Sequence, residues 1–187
     1  MSGYDRHNFL QIMDSKRRPI FRAGVIDFGA ETTTLPNGLT VELPVIRHPG
    51  AAAIVALDRD GRVAMLHQYR YAVGGTIWEI PAGCRGPGES GRQCAERELL
   101  EEAGVSAASW HHLGSLVTIP SICDERIELY LARELSHSAT SHEADEVIRV
   151  EWIELQRVLA MIRAGEVIDA KTIAAIFQAA DFLADGN

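Results

Sequence analysis

Five glutamates crowd one short stretch of this chain, three of them (Glu98, Glu101 and Glu102) within five residues. From Gly83 to Val105 it reads G-C-R-G-P-G-E-S-G-R-Q-C-A-E-R-E-L-L-E-E-A-G-V. Ser90 followed by Gln93 forms a capping-box pattern that starts a helix just after Glu89. Gly104 supplies the left-handed residue that ends it. On that helix Ala95, Leu99 and Ala103 share an apolar face. Glu98, Glu101 and Glu102 project to the other side, with Arg97 one turn from Glu101 and placed to pair with it. Like charges on one face repel, so something must compensate. Water does so for most acidic runs. A hard divalent cation is the alternative: Glu98 and Glu102 offer oxygen ligands one turn apart and leave positions for water and a substrate phosphate.

The full pattern favours the cation. It is G-x5-E-x7-R-E-U-x-E-E-x-G-U, with U aliphatic, filled by Gly83, Glu89, Arg97, Glu98, Leu99, Glu101, Glu102, Gly104 and Val105. A chance match in a chain of this length is on the order of 10⁻⁷. The stretch resembles the complete box of the Nudix hydrolases. That resemblance implies Mg²⁺, with Mn²⁺ as a substitute, held by Glu98, Glu102 and the Ala82 carbonyl. It implies that Glu101 binds a further ion or positions water, and that Arg97 orients the glutamates. The glycine-rich loop opening at Gly83 lets backbone approach the metal closely.

Such a site supports attack of water on a diphosphate, which also calls for a carboxylate to activate or orient the water. Glu143, Asp145 and Glu146 lie in a polar loop and are the candidates, Glu146 first among them. Arg70 ends a strand, where it can clamp phosphate oxygens or simply pair on the surface. Glu79, in W-E-I-P-A-G, is a second substrate-side candidate, whereas alternation assigns Trp78 to the core. Arg22 can reach a neighbouring subunit's site if the N-terminal strands swap.

The likeness narrows downstream. Pro120 follows Gly104 by sixteen residues, and P-S-I-C-D-E-R-I-E-L-Y-L-A, Q-Y-R-Y-A-V-G and G-E-V-I-D-A-K-T are also present. These are similar to the ADP-ribose pyrophosphatase branch of the family, which implies cleavage of ADP-ribose to AMP and ribose 5-phosphate and an N-terminal sheet used in a homodimer. Relatives often carry P-G where this chain has Ser121-Ile122, so the nucleotide contact is expected to differ there.

The elements that must position these residues are those of an α/β protein: an α/β/α sandwich with a mixed sheet, preceded by a small antiparallel β appendage. Residues 1–48 are expected to form the appendage and 49–187 the hydrolase domain. Three strands are expected between Ile20 and Arg47, the first reading I-F-R-A-G-V-I-D-F, with a hairpin at Asn37-Gly38. Further strands are expected over Trp110–Ile119 and Glu125–Ala132, and helices over Glu154–Ala164 and Ala170–Ala184.

A net charge of −8 argues against nucleic-acid and anionic-membrane partners. Three scattered cysteines without C-x-x-C, and no apolar leader, fit a cytoplasmic protein. Gly86, Gly88 and Gly91 spell G-x-G-x-x-G, but Pro87 occupies the turn and no ribose-binding acid follows. H-E-A-D-E at His142 lacks the second histidine of a zinc helix. His111 and His112 are expected to point one inward and one to solvent. Competing functions are hydrolysis of another sugar nucleotide, of the ADP-glucose or GDP-mannose type, and a non-catalytic metabolite-binding regulatory module. An RNA-cap hydrolase is disfavoured by the acidity.

Overall fold

The computed structural model describes residues 16–137 and 147–186, and the chain divides into two units. The first contains the described residues through His48 together with Ile119–Glu125. Its antiparallel sheet is formed by β1 (Lys16–Ala23), β2 (Ile26–Thr34) and β3 (Thr40–Arg47), with β2 in the centre. Gly38, at φ 84°, turns β2 into β3, and Asn37 Oδ1 accepts from Leu39 N at 3.1 Å, as the Asn-Gly signal predicts. The run I-F-R-A-G-V-I-D-F is two strands rather than one. Gly24, at φ 53°, reverses the chain so that Ala23 faces Ile26. Glu31 is buried on β2, held by Arg17 and Arg47, and Arg47 also bonds Asp124 at 2.9 Å. Ile46 N donates to Ile122 O at 2.7 Å, which ties the 119–125 segment to β3.

The second unit contains Pro49–Thr118 and the described residues from Arg126 onward. In chain order it forms β4 (Ala51–Ala56), β5 (Arg62–Arg70), β6 (Gly75–Glu79), β7 (Ala82–Cys84), α1 (Gly91–Ala103), β8 (Val105–Val117), β9 (Arg126–His137), β10 (Ile148–Glu154), α2 (Leu155–Ala164) and α3 (Ala170–Ala184). A mixed sheet runs β7-β4-β9-β8, with β4 and β9 parallel and the other pairs antiparallel. An antiparallel sheet runs β10-β5-β6.

β4 explains the layering. All six residues are buried, because each face of the strand meets helix. Ala51, Ala53 and Val55 pack with residues of α2 and α3, such as Leu159 and Ile176. Ala52, Ile54 and Ala56 pack with Cys94, Ala95 and Leu99 of α1. A strand covered on both sides reads as a continuous apolar run, so the helices form layers on opposite faces of the mixed sheet. β8 starts earlier than expected, directly after Gly104. The weak β-formers Ser106 and Ala107 are recruited by pairing with Ser136 and Leu135 of β9.

Candidate active site

The capping box at Ser90 is present: Gln93 N donates to Ser90 Oγ at 3.2 Å and Ser90 N to Gln93 Oε1 at 2.9 Å. Gly104, at φ 65°, closes α1. With both ends fixed, Ala95 and Leu99 lie in the core, and Glu98 and Glu102 are also buried, at 8% and 2% exposure. Buried carboxylates need partners. Ala82 N donates to Glu102 Oε2 at 2.7 Å, which fixes α1 against β7. Glu98 lies over Gly83. A Cβ at that position would meet Glu98 Oε1 at 2.0 Å and Cδ at 2.1 Å, so the glycine is a cradle for the carboxylate.

Arg97 is the hub of the loop. Its Nε and Nη2 hold the two oxygens of Glu89, each at 3.0 Å, and Nη2 also reaches Cys84 O at 3.0 Å. Its Nη1 lies between Glu98 Oε1 (2.6 Å) and Glu101 Oε2 (3.0 Å). Glu89 also accepts from Gly86 N at 2.8 Å. The Arg97 hydrogen bonds, followed by that from Gly86, pull the Glu89 carboxyl down to about 2. Burial first, then the charges of Glu98 and Glu89, push the Cys94 thiol up to about 12, so it stays protonated and donates to Gly83 O at 3.3 Å. One guanidinium thus fastens the glycine loop to the helix and orders two glutamates.

Arg70 and Glu79 meet each other. Arg70 Nε and Nη2 donate to Glu79 Oε1 and Oε2 at 2.7 and 3.0 Å. Glu79 is 2% exposed. Burial pushes its carboxyl up, but the Arg70 hydrogen bonds and the charge of Lys171 outweigh that and leave it below the ordinary value. Arg70 is held above its own, first by the Glu79 bond, and it also senses the charges of Glu102 and Asp169. The sequence analysis assigned no role to Lys171, Asp169 or Thr172, although D-A-K-T carries a signal. A lysine in the first turn of a helix opposes the helix dipole and calls for a local carboxylate.

Arg22, on β1 of the first unit, pairs with Asp27 at 2.5 Å. Glu146, with Glu143 and Asp145, lies outside the described residues. Trp78 packs at the core edge and stacks on His67. His111 and His112 are both exposed rather than split between core and solvent, because each finds a surface partner. His111 stacks on Phe182, and His112 meets Glu128 at 2.6 Å.

Among the described residues no group of three or more His, Cys, Asp or Glu is arranged to hold an ion. The donor set nevertheless fits a hard cation. Glu98 and Glu102 offer carboxylate oxygens a turn apart beside Ala82, and the Gly83 cradle leaves Glu98 against the strand with no side chain between.

The NUDIX domain family matches residues 47–176. The chain is similar to the ADP-ribose pyrophosphatase of Bacillus subtilis (strain 168), with 38% identity over 162 residues, 86% of this chain and 88% of that one. It is similar to the methanol dehydrogenase activator of Bacillus methanolicus, with 36% identity over 163 residues and the same two coverages. A crystal structure of an ADP compounds hydrolase shares the fold, with a TM-score of 0.79 over 92% of this chain and 94% of that one at 18% identity. The match spans most of the chain and includes the whole glutamate helix with the loop that Arg97 fastens to it: the chain belongs to the NUDIX family.

Proposed function

We propose that this protein hydrolyses the diphosphate bond of nucleoside diphosphate-sugars in the presence of a divalent cation, with ADP-ribose cleaved to AMP and ribose 5-phosphate. The observation that carries this reading is the pair of buried glutamates, Glu98 over the Gly83 cradle and Glu102 bonded by Ala82 N, in a chain 38% identical to an ADP-ribose pyrophosphatase. Glu98, Glu102 and the Ala82 carbonyl hold the ion, Mg²⁺ by the hardness of the donors, with Mn²⁺ as a substitute. When bound, the cation neutralises phosphoryl oxygens and acidifies water. Arg97 keeps Glu98 and Glu101 oriented, and Glu101 positions water. Arg70 binds the diphosphate, and Glu146 takes the proton of the attacking water. The protein acts in the cytoplasm as a homodimer joined through the N-terminal sheet, where Ile20, Phe21 and Leu39 are each more than half exposed. No described helix is long and apolar enough to cross a membrane.

A second reading, a regulator that binds a nucleotide metabolite without turning it over, is favoured by the equally extensive likeness to a methanol dehydrogenase activator. The two separate in a product assay with Mg²⁺ against ADP-ribose, ADP-glucose, GDP-mannose and a capped RNA. AMP release from ADP-ribose, reduced by at least about 10²-fold in Glu98→Gln and Glu102→Gln, supports the hydrolase. Tight binding of ADP-ribose with every substrate left intact supports the regulator.

A further inference from the structure

We propose that Lys171 and Asp169, at the start of α3, are positioning residues that set the charge and orientation of Arg70 for the substrate diphosphate; this rests on Arg70 being the phosphate ligand. Glu79 Oε2 is shared. It accepts from Arg70 Nη2 at 3.0 Å and from Lys171 Nζ. Lys171 Nζ also donates to Asp169 Oδ2 at 3.0 Å, the oxygen that takes Thr172 N at 3.0 Å and Thr172 Oγ1 at 2.6 Å. Thr172 Oγ1 in turn accepts from Ile80 N at 3.0 Å. The first turn of α3 therefore grips Glu79 and Ile80, immediately ahead of Ala82.

Stability alone does not call for this arrangement. Burying a carboxylate between cations carries a desolvation cost that apolar side chains avoid, and Lys171 opposes the helix dipole. Exposure gives the network a direction. The side chains of Glu79 and Lys171 are 2% and 14% exposed, while that of Arg70 is 40% exposed. Arg70 uses Nε and Nη2 on Glu79, and its Nη1 has no hydrogen-bond partner among the described residues. With Glu79 as its one neighbour, Arg70 would present a neutralised pair to an incoming phosphate. Because Lys171 shares the carboxylate, Arg70 keeps an outward positive field and a fixed plane, which suits bidentate contact. Asp169 then trims that field while capping α3.

The chain of charges predicts opposite effects from removing its lysine and its outer carboxylate. ADP-ribose is titrated into Lys171→Met, Lys171→Arg and Asp169→Asn by calorimetry in EDTA, and KM and kcat are measured in Mg²⁺. Lys171→Met should raise Kd and KM about tenfold, with the change concentrated in KM rather than kcat. Lys171→Arg should restore most of that loss. Asp169→Asn keeps a capping side chain and should lower Kd about threefold. If Lys171→Met does not fold by circular dichroism, the sign in Asp169→Asn decides. Weaker binding in Asp169→Asn, or an effect confined to melting temperature, overturns the proposal. A wild type that binds ADP-ribose but hydrolyses nothing refutes the hydrolase reading, and the Kd series still judges Lys171. A wild type that neither binds nor hydrolyses it overturns both.

Discussion

Gly83 and Arg97 divide the work of presenting the carboxylates. Gly83 leaves room for Glu98, and Arg97 aims it. A methyl group at Gly83 would sit 2.0 Å from Glu98 Oε1, a separation that forces the carboxylate out of place. Gly83→Ala should therefore lower kcat/KM by about 10²-fold, since small misplacements at a reacting centre cost that much, while the melting temperature hardly moves. A drop in stability with near-normal activity would count against the cradle. At this scale the sequence was informative where spacing is short. The Arg97–Glu101 contact is one helical turn and was foreseen. The Lys171–Glu79 contact spans 92 residues, and nothing local in either segment names the other. Arg70 and Glu79 were both singled out but as separate candidates, because their meeting depends on β5 and β6 lying side by side.

α1 is the element most completely written in its own residues. Its caps, apolar face and acidic face all arise from local chemistry, and its observed span, Gly91–Ala103, starts just after Glu89 and ends at Gly104, as the caps predict. Ser90→Ala removes the acceptor for Gln93 N and should cost about 1 kcal/mol, a fall of about 3 °C in a chain of this size. A thermal melt with Ser90→Thr alongside checks it, because threonine can restore the cap. Strand limits were less legible. Gly24 reads as an ordinary interruption within an alternating run until β1 and β2 are paired, and the start of β8 is decided by β9. Both misreadings have one cause: a strand edge is set by its partner, whereas a helix end is set by its cap.

At the scale of the whole molecule, the N-terminal unit carries an acid-sensitive carboxylate of its own. Glu31, in the N-terminal unit, is 4% exposed, and its carboxyl is held below the ordinary value chiefly by Arg47, against its own burial and with help from Arg17. A depressed folded pKa adds stability above the unfolded value, which is lost as pH falls through the folded one. Glu31→Gln should therefore destabilise by roughly 2 kcal/mol at pH 7. The gap from wild type should narrow below about pH 4, where the unfolded glutamate is protonated. Urea midpoints at pH 7 and pH 3.5 give the comparison, and an unchanged gap would remove Glu31 as a source of acid sensitivity. The same network contains Asp124, 77 residues beyond its partner Arg47, and Ile122 completes the hydrogen bonding of Ile46. During synthesis the N-terminal sheet emerges first but lacks these partners until residues 119–125 leave the ribosome. By then β4 to β8 have been made. A protein whose earliest strands are finished by a late loop does not fold strictly from its N-terminus. Removing residues 1–48 would also strand that loop, so the deletion would leave a fragment of the first unit behind between β8 and β9.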